Sequence, residues 1–119
     1  MIYKGIVQQG SAYGHSLGFP TANIPLTDDT SGIYAAKVRC DGTEHNAAVY
    51  ADTKRKLLEA HLLDFNENLY GKEIAVELLE RIRDDRQFAN TEDAKTAIAE
   101  DVRAIRAYFN PALSPKSGG

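Results

Sequence analysis

The sequence predicts a mostly β domain that ends in one carboxy-terminal α-helix, and three observations carry that prediction. Asp41 and Gly42 form the strongest hairpin signal in the chain, because both tolerate the positive φ angles of a type I′ turn. Ile74, Val76, Leu78 and Ile82 share one parity across residues 73–83, broken only by Glu80, which is the alternation of a half-buried strand. Ala94, Ala97, Ile98, Val102, Ile105 and Tyr108 recur instead at three- and four-residue spacing, the period of a helix with one apolar face.

The elements follow in order. Residues 2–9 are rich in β-branched side chains and lead directly into a glycine-rich stretch. Residues 32–40 alternate, with Tyr34, Ala36, Val38 and Cys40 as the expected core-facing set, and residues 43–51 return from the hairpin. Residues 57–65 and 73–83 consist largely of good helix formers, so propensity alone favours helices there. Alternation in the second segment, and turn residues Asn66, Asn68 and Gly71 between the two, favour strands. Residues 90–109 form the helix: Asn90 can cap it, Glu92 and Asp93 suit the positive end of its dipole, and Asn110 with Pro111 stops it.

Composition narrows the function classes. With 119 residues, 43% hydrophobic and 26% charged, the chain has the size of one domain with a real core, expected over residues 1–110 and followed by a disordered tail at 111–119. A net charge of −3 argues against a nucleic-acid footprint. The single cysteine, Cys40, cannot form an internal disulfide, and three scattered histidines do not make a zinc set. No targeting segment or membrane-length apolar run is apparent, so a cytoplasmic location is expected.

The chemistry-bearing stretch is residues 10–24. Gly10, Gly14 and Gly18 stand four residues apart, dense enough for a loop to present backbone N–H groups to a ligand. The loop lacks the Gly-Lys-Ser/Thr ending of a Walker A motif and the spacing of a dinucleotide fingerprint. Pro20 keeps Phe19 extended, so the chain leaves the loop straight with Thr21 and Asn23 pointing the same way. A hydroxyl and an amide carbonyl so placed suit a hard cation and the phosphates it bridges. Read without further context, the glycines also fit a tight surface loop, and Thr21 and Asn23 fit outward polar positions on a strand.

Four ordered blocks resemble the riboflavin kinase family, also called flavokinase. They are residues 10–24; residues 59–65 followed by 69–72; Ile82 and Arg83 with Phe88 and the helix beyond; and Gly32, Ile33 and Tyr34. The resemblance implies a closed antiparallel Greek-key β-barrel with a carboxy-terminal helix, and transfer of the γ-phosphoryl of ATP to the ribityl 5′-hydroxyl of riboflavin to give FMN. It implies Mg²⁺, with Zn²⁺ or Mn²⁺ as other candidates, held by Thr21 and Asn23. Phosphate contacts are implied from Gly10, Gly14, His15, Ser16, Gly18, Pro20 and Thr21, with Glu59 as the catalytic carboxylate and Arg83 and Phe88 beside the flavin. A primary alcohol is a poor nucleophile near neutral pH, so a carboxylate within reach is needed to take its proton, and the leucines around Glu59 suggest an environment that raises its pKa.

Bifunctional relatives carry an adenylyltransferase domain in front, for which 119 residues leave no room, so the chain is expected to stop at FMN. A monomer without nucleic-acid or membrane partners is expected. His15 stands where the family usually has arginine or lysine. Residues 49–56 are shorter than in many relatives and lack their Asn-Ile-Gly and Pro-Thr signature; Lys54, Arg55 and Lys56 either supply positive charge there or form a solvated turn. Two other readings fit the same residues: a flavin-binding module without transfer, and a small β-barrel that binds nucleic acid or a protein. Glu59 alone also fits a solvated surface glutamate, and Phe88 a staple on the first helical turn.

Overall fold

The computed structural model describes residues 2–8, 21–65, 69–84 and 90–113. These contain the strands β1 (Ile2–Ile6), β2 (Ala22–Pro25), β3 (Gly32–Cys40), β4 (Thr43–Asp52), β5 (Leu57–Leu62) and β6 (Glu73–Arg83). The helix α1 (Thr91–Phe109) and one 3-10 turn (Pro111–Leu113) follow. The tail expected from residue 111 thus begins with an ordered turn, and residues 114–119 lie outside the described set.

All strand pairs are antiparallel, in the order β1-β6-β3-β4-β5-β2. Strands β3, β4 and β5 follow one another, and β6 returns beside β3, which is a Greek key. The two edges nearly meet: the Gln8 amide donates to the Asn23 carbonyl at 2.8 Å. A Cβ on Gly5 would stand 3.1 Å from that of Ile24, so β1 can lie this close to β2 because Gly5 has no side chain. The sheet is a nearly closed barrel.

The hairpin forms as its residues require, with φ of 52° at Asp41 and 78° at Gly42. Both ambiguous segments are strands. Helix propensity differences amount to about 0.7 kcal/mol or less per residue, whereas burying a leucine or isoleucine gains about 1.5–3 kcal/mol. Leu58, Leu62, Ile74 and Val76 all enter the barrel interior, so packing wins. Strand β6 departs from strict alternation, because Ala36 pairs with Leu78 but Ala35 with Glu80, and Tyr34 with Arg81 but Ile33 with Arg83. Leu79 and Ile82 are therefore extra residues. Leu79 is left 39% exposed, and Ile82 packs on the outer face instead of continuing the inward row of Ile74, Val76 and Leu78.

Two cores result. The interior holds Ile24, Val38, Val49, Leu58, Ile74 and Val76, among others. A second cluster of Ile33, Ala35, Leu63 and Ile105, with Val102 and Phe109 against it, lies between α1 and the outer face of the sheet. The first half of β3 is consequently buried on both faces, beyond the single core-facing set its alternation indicates. Asn90 caps α1, its Oδ1 accepting the Asp93 amide at 2.8 Å. Tyr108, expected on the packed face, is 40% exposed; Phe109 takes the cluster position and meets Tyr108 edge to face. Among the described residues no helix is long and apolar enough to cross a membrane.

Gly32 opens β3 at φ +110°, and a Cβ there would stand 2.8 Å from both the Arg83 carbonyl oxygen and Arg81 Nε. Gly32→Ala is expected to lower the unfolding free energy by about 1–3 kcal/mol, read as a fall in the urea midpoint at constant slope.

Candidate active site

Residues opposed in an antiparallel ladder stand on the same face of the sheet. Asn23 opposes Glu59, Glu59 opposes Tyr50, Tyr50 opposes Ile33, and Ile33 opposes Arg83. One row thus crosses five strands on the outer face, with α1 over its Ile33 end. Asn23 and Glu59 are neighbours in it, and both are buried, at 2% and 5% exposure. Thr21, just before β2, donates from Oγ1 to Asn23 Oδ1 at 3.3 Å. Three residues expected to act together are therefore adjacent, although 36 positions separate Asn23 from Glu59 along the chain.

The electrostatics come from the four-residue turn that joins β4 to β5. Asp52, the last residue of β4, is 5% exposed. Its Oδ1 accepts the Lys54 and Arg55 amides at 3.0 and 3.1 Å, and its Oδ2 accepts Arg55 Nε at 2.6 Å. A terminal nitrogen of the same guanidinium, NH2, donates to Glu59 Oε2 at 3.0 Å. Burial pushes the Glu59 carboxyl above its ordinary range; Arg55 offsets part of this, and the Asp52 charge adds to it. Burial also pushes Asp52 upward, but the Arg55 guanidinium and the turn amides outweigh it and leave that carboxyl below its ordinary value. Burial disfavours the charged form of Arg55, yet the two carboxylates leave its pKa raised. Arg55 thus stands on an exposed turn but is paired with both carboxylates. Asp52 escaped the sequence reading; its signal was an acidic residue capping a short turn, three positions before an arginine and seven before the glutamate.

At the far end of the row Arg83 makes a two-pronged pair with Asp101 of α1, Nε to Oδ1 at 2.8 Å and a terminal nitrogen to Oδ2 at 2.7 Å. Asp101, also missed, interrupts the apolar stripe of α1 and so places a carboxylate against the sheet. His45 packs against Phe65, with ring centroids 4.7 Å apart, and His61 is half-buried on β5. Gly10, Gly14, His15, Ser16, Gly18, Pro20 and Phe88 lie outside the described residues.

Thr21 and Asn23 fit a hard divalent cation. Neighbouring oxygens around an octahedral Mg²⁺ lie about 3 Å apart, close to the separation of this hydroxyl and amide oxygen. Among the described residues no cluster of three or more His, Cys, Asp or Glu exists that could enclose a metal by itself.

The family described as flavokinase, riboflavin kinase, matches residues 1–109. A bifunctional riboflavin kinase/FMN adenylyltransferase from Haemophilus influenzae is 39% identical over 116 residues, which covers 89% of this chain and 38% of that protein. The chain thus spans well under half the length of the curated relatives it first matches. Riboflavin kinase from Trypanosoma brucei superposes with a TM-score of 0.65 at 25% identity, covering 98% of this chain and 90% of that one. A longer Streptococcus pneumoniae chain described as a macrolide-efflux protein superposes with a TM-score of 0.76 at 28% identity, covering 88% of this chain and 38% of that one.

The turn around Asp52 has a measurable pH signature. A carboxylate whose folded pKa is lowered contributes stability above its unfolded pKa, and that contribution disappears as pH falls through the folded value. Asp52→Asn is expected to cost about 1–2 kcal/mol at pH 7, since the Arg55 side chain is 41% exposed and its pairing is screened, with the gap to the parent closing below about pH 4. Urea unfolding across pH 3–7 reads it.

Proposed function

This chain belongs to the riboflavin kinase family, and from that premise we propose that it transfers the γ-phosphoryl group of ATP to the ribityl 5′-hydroxyl of riboflavin, giving FMN and ADP. The observation that carries this reading is the adjacency of Asn23 and Glu59, both buried and paired in the β2–β5 ladder, with Thr21 bonded to Asn23. Phosphoryl transfer asks a protein for positioning and charge stabilisation, with a base for the attacking hydroxyl.

In the proposed reaction Glu59 accepts the hydroxyl proton as that oxygen bonds to the γ-phosphorus. The bond from the γ-phosphorus to the bridging oxygen breaks, and ADP leaves with the electron pair. A carboxyl whose pKa is raised by burial is the stronger base for this step. Thr21 Oγ1 and Asn23 Oδ1 would hold a divalent ion, proposed as Mg²⁺, which when bound offsets charge on the transferred group. Residues 10–20 precede Thr21 in the chain; phosphate contacts are proposed from Gly10, Gly14, His15, Ser16, Gly18 and Pro20, with the backbone N–H groups other than that of proline as donors.

Arg83 lies three strand spacings from Glu59 in the same row, about 14 Å along the sheet. That distance suits a substrate with a reacting hydroxyl at one end and a planar ring at the other. Arg83, oriented by Asp101, and Phe88 are proposed to sit at the ring end. The same proposal includes a monomer that acts on these small molecules without nucleic acid.

The test is an assay with riboflavin, ATP and Mg²⁺, separating flavins by chromatography. FMN and ADP are expected in equal amounts, and Glu59→Gln should lower kcat by about 10²–10⁴-fold. Riboflavin binding with no ADP released would contradict the proposal and leave a flavin-binding barrel.

A further inference from the structure

We infer that Arg55 is a positioning residue, whose guanidinium, anchored on Asp52, fixes the Glu59 carboxylate through Oε2 and reserves Oε1 for the substrate proton. The inference rests on the reading of Glu59 as the base.

The geometry is specific to a two-nitrogen fork. Nε engages Asp52 at 2.6 Å, and the terminal nitrogen NH2 engages Glu59 at 3.0 Å. Both carboxylate side chains are more than nine-tenths buried, at 7% and 6% exposure, whereas the arginine is 41% exposed. Two buried carboxylates this close repel each other, and the Asp52 charge acts on Glu59 in that sense. The guanidinium bonds to both through two neighbouring nitrogens and so links them. Asp52 in turn is immobilised by the Lys54 and Arg55 amides, so backbone, Asp52, Arg55 and Glu59 form one chain of hydrogen bonds. The turn closes through Lys56 at φ +55°, with its carbonyl accepting the Leu26 amide at 2.9 Å, which ties the device to the segment just after β2. A glutamate free to change rotamer would spend part of its time away from the hydroxyl, and misplacement of a catalytic group costs rate more than affinity. Lysine presents one ammonium nitrogen and cannot hold both carboxylates in this geometry.

A purely structural ion pair would affect stability and leave turnover alone, so the test measures both. Steady-state kinetics with riboflavin, ATP and Mg²⁺ are compared for the parent, Arg55→Gln, Arg55→Lys, Glu59→Gln and the double variant Arg55→Gln/Glu59→Gln. Arg55→Gln is expected to lower kcat at least about tenfold with both KM values within about threefold, and Arg55→Lys to recover only part of the loss. In the Glu59→Gln background Arg55→Gln should add less than about twofold, because the group it positions is gone. Parental kcat in Arg55→Gln, a loss confined to KM, or full additivity in the double variant would overturn the inference. If Arg55→Gln does not fold, Arg55→Lys decides: a reduced kcat at parental melting temperature supports the role, and a parental kcat overturns it. No FMN from the parent would overturn the functional reading itself, and this inference with it.

Discussion

The pairing of β2 with β5 is the constraint from which the rest of the site follows. Side chains alternate across a strand, so a slip of one residue in this ladder would move Glu59 into the barrel interior and leave Asn23 without its neighbour. Ile24 and Leu58, opposed in the same ladder and both fully buried, hold the register. Burial of each contributes about 1.5–3 kcal/mol, and a slip would exchange Leu58 for a carboxylate inside an apolar core. The apolar face of the ladder thus fixes the polar one. Gly5, by letting β1 close on β2, brings the segment carrying Gln8 onto Asn23 from the other side.

On that outer face electrostatics oppose stability. Two carboxylates are buried within reach of one half-exposed guanidinium, an arrangement that a core built only for stability would replace with apolar groups. A raised Glu59 pKa is the consequence, and it is what a proton acceptor requires. Arg83 and Asp101 perform a different task at the other end of the row, joining the end of β6 to α1. The helix and the site therefore share one surface, and the apolar cluster under α1 bounds the site on that side.

Much of this was legible in the residues, for physical reasons that differ by element. Asp41 and Gly42 revealed their hairpin because few residues accept two successive positive φ angles. Strand β6 was legible through Ile74 and Val76, but its bulges at Leu79 and Ile82 were not, since alternation cannot reveal where an unpaired residue resets it. Tyr108 followed the helical period yet stays at the rim, because Phe109 beside it fills the space. Thr21, Asn23 and Glu59 could be named from the family resemblance, but their adjacency depends on a pairing between distant strands that local pattern does not encode. Asp52 and Arg55 look like ordinary turn residues in the sequence. Their role depends on the direction of one guanidinium, and only the folded turn sets that.

We propose that the reacting groups meet at the Asn23–Glu59 patch on the outer face of the barrel. A crystal structure with ADP, Mg²⁺ and flavin tests it most directly. The metal is expected on the oxygens of Thr21 and Asn23, and the end of the ribityl chain within hydrogen-bond reach of Glu59. Ligands seated elsewhere, with Glu59 in contact only with Arg55, would contradict it.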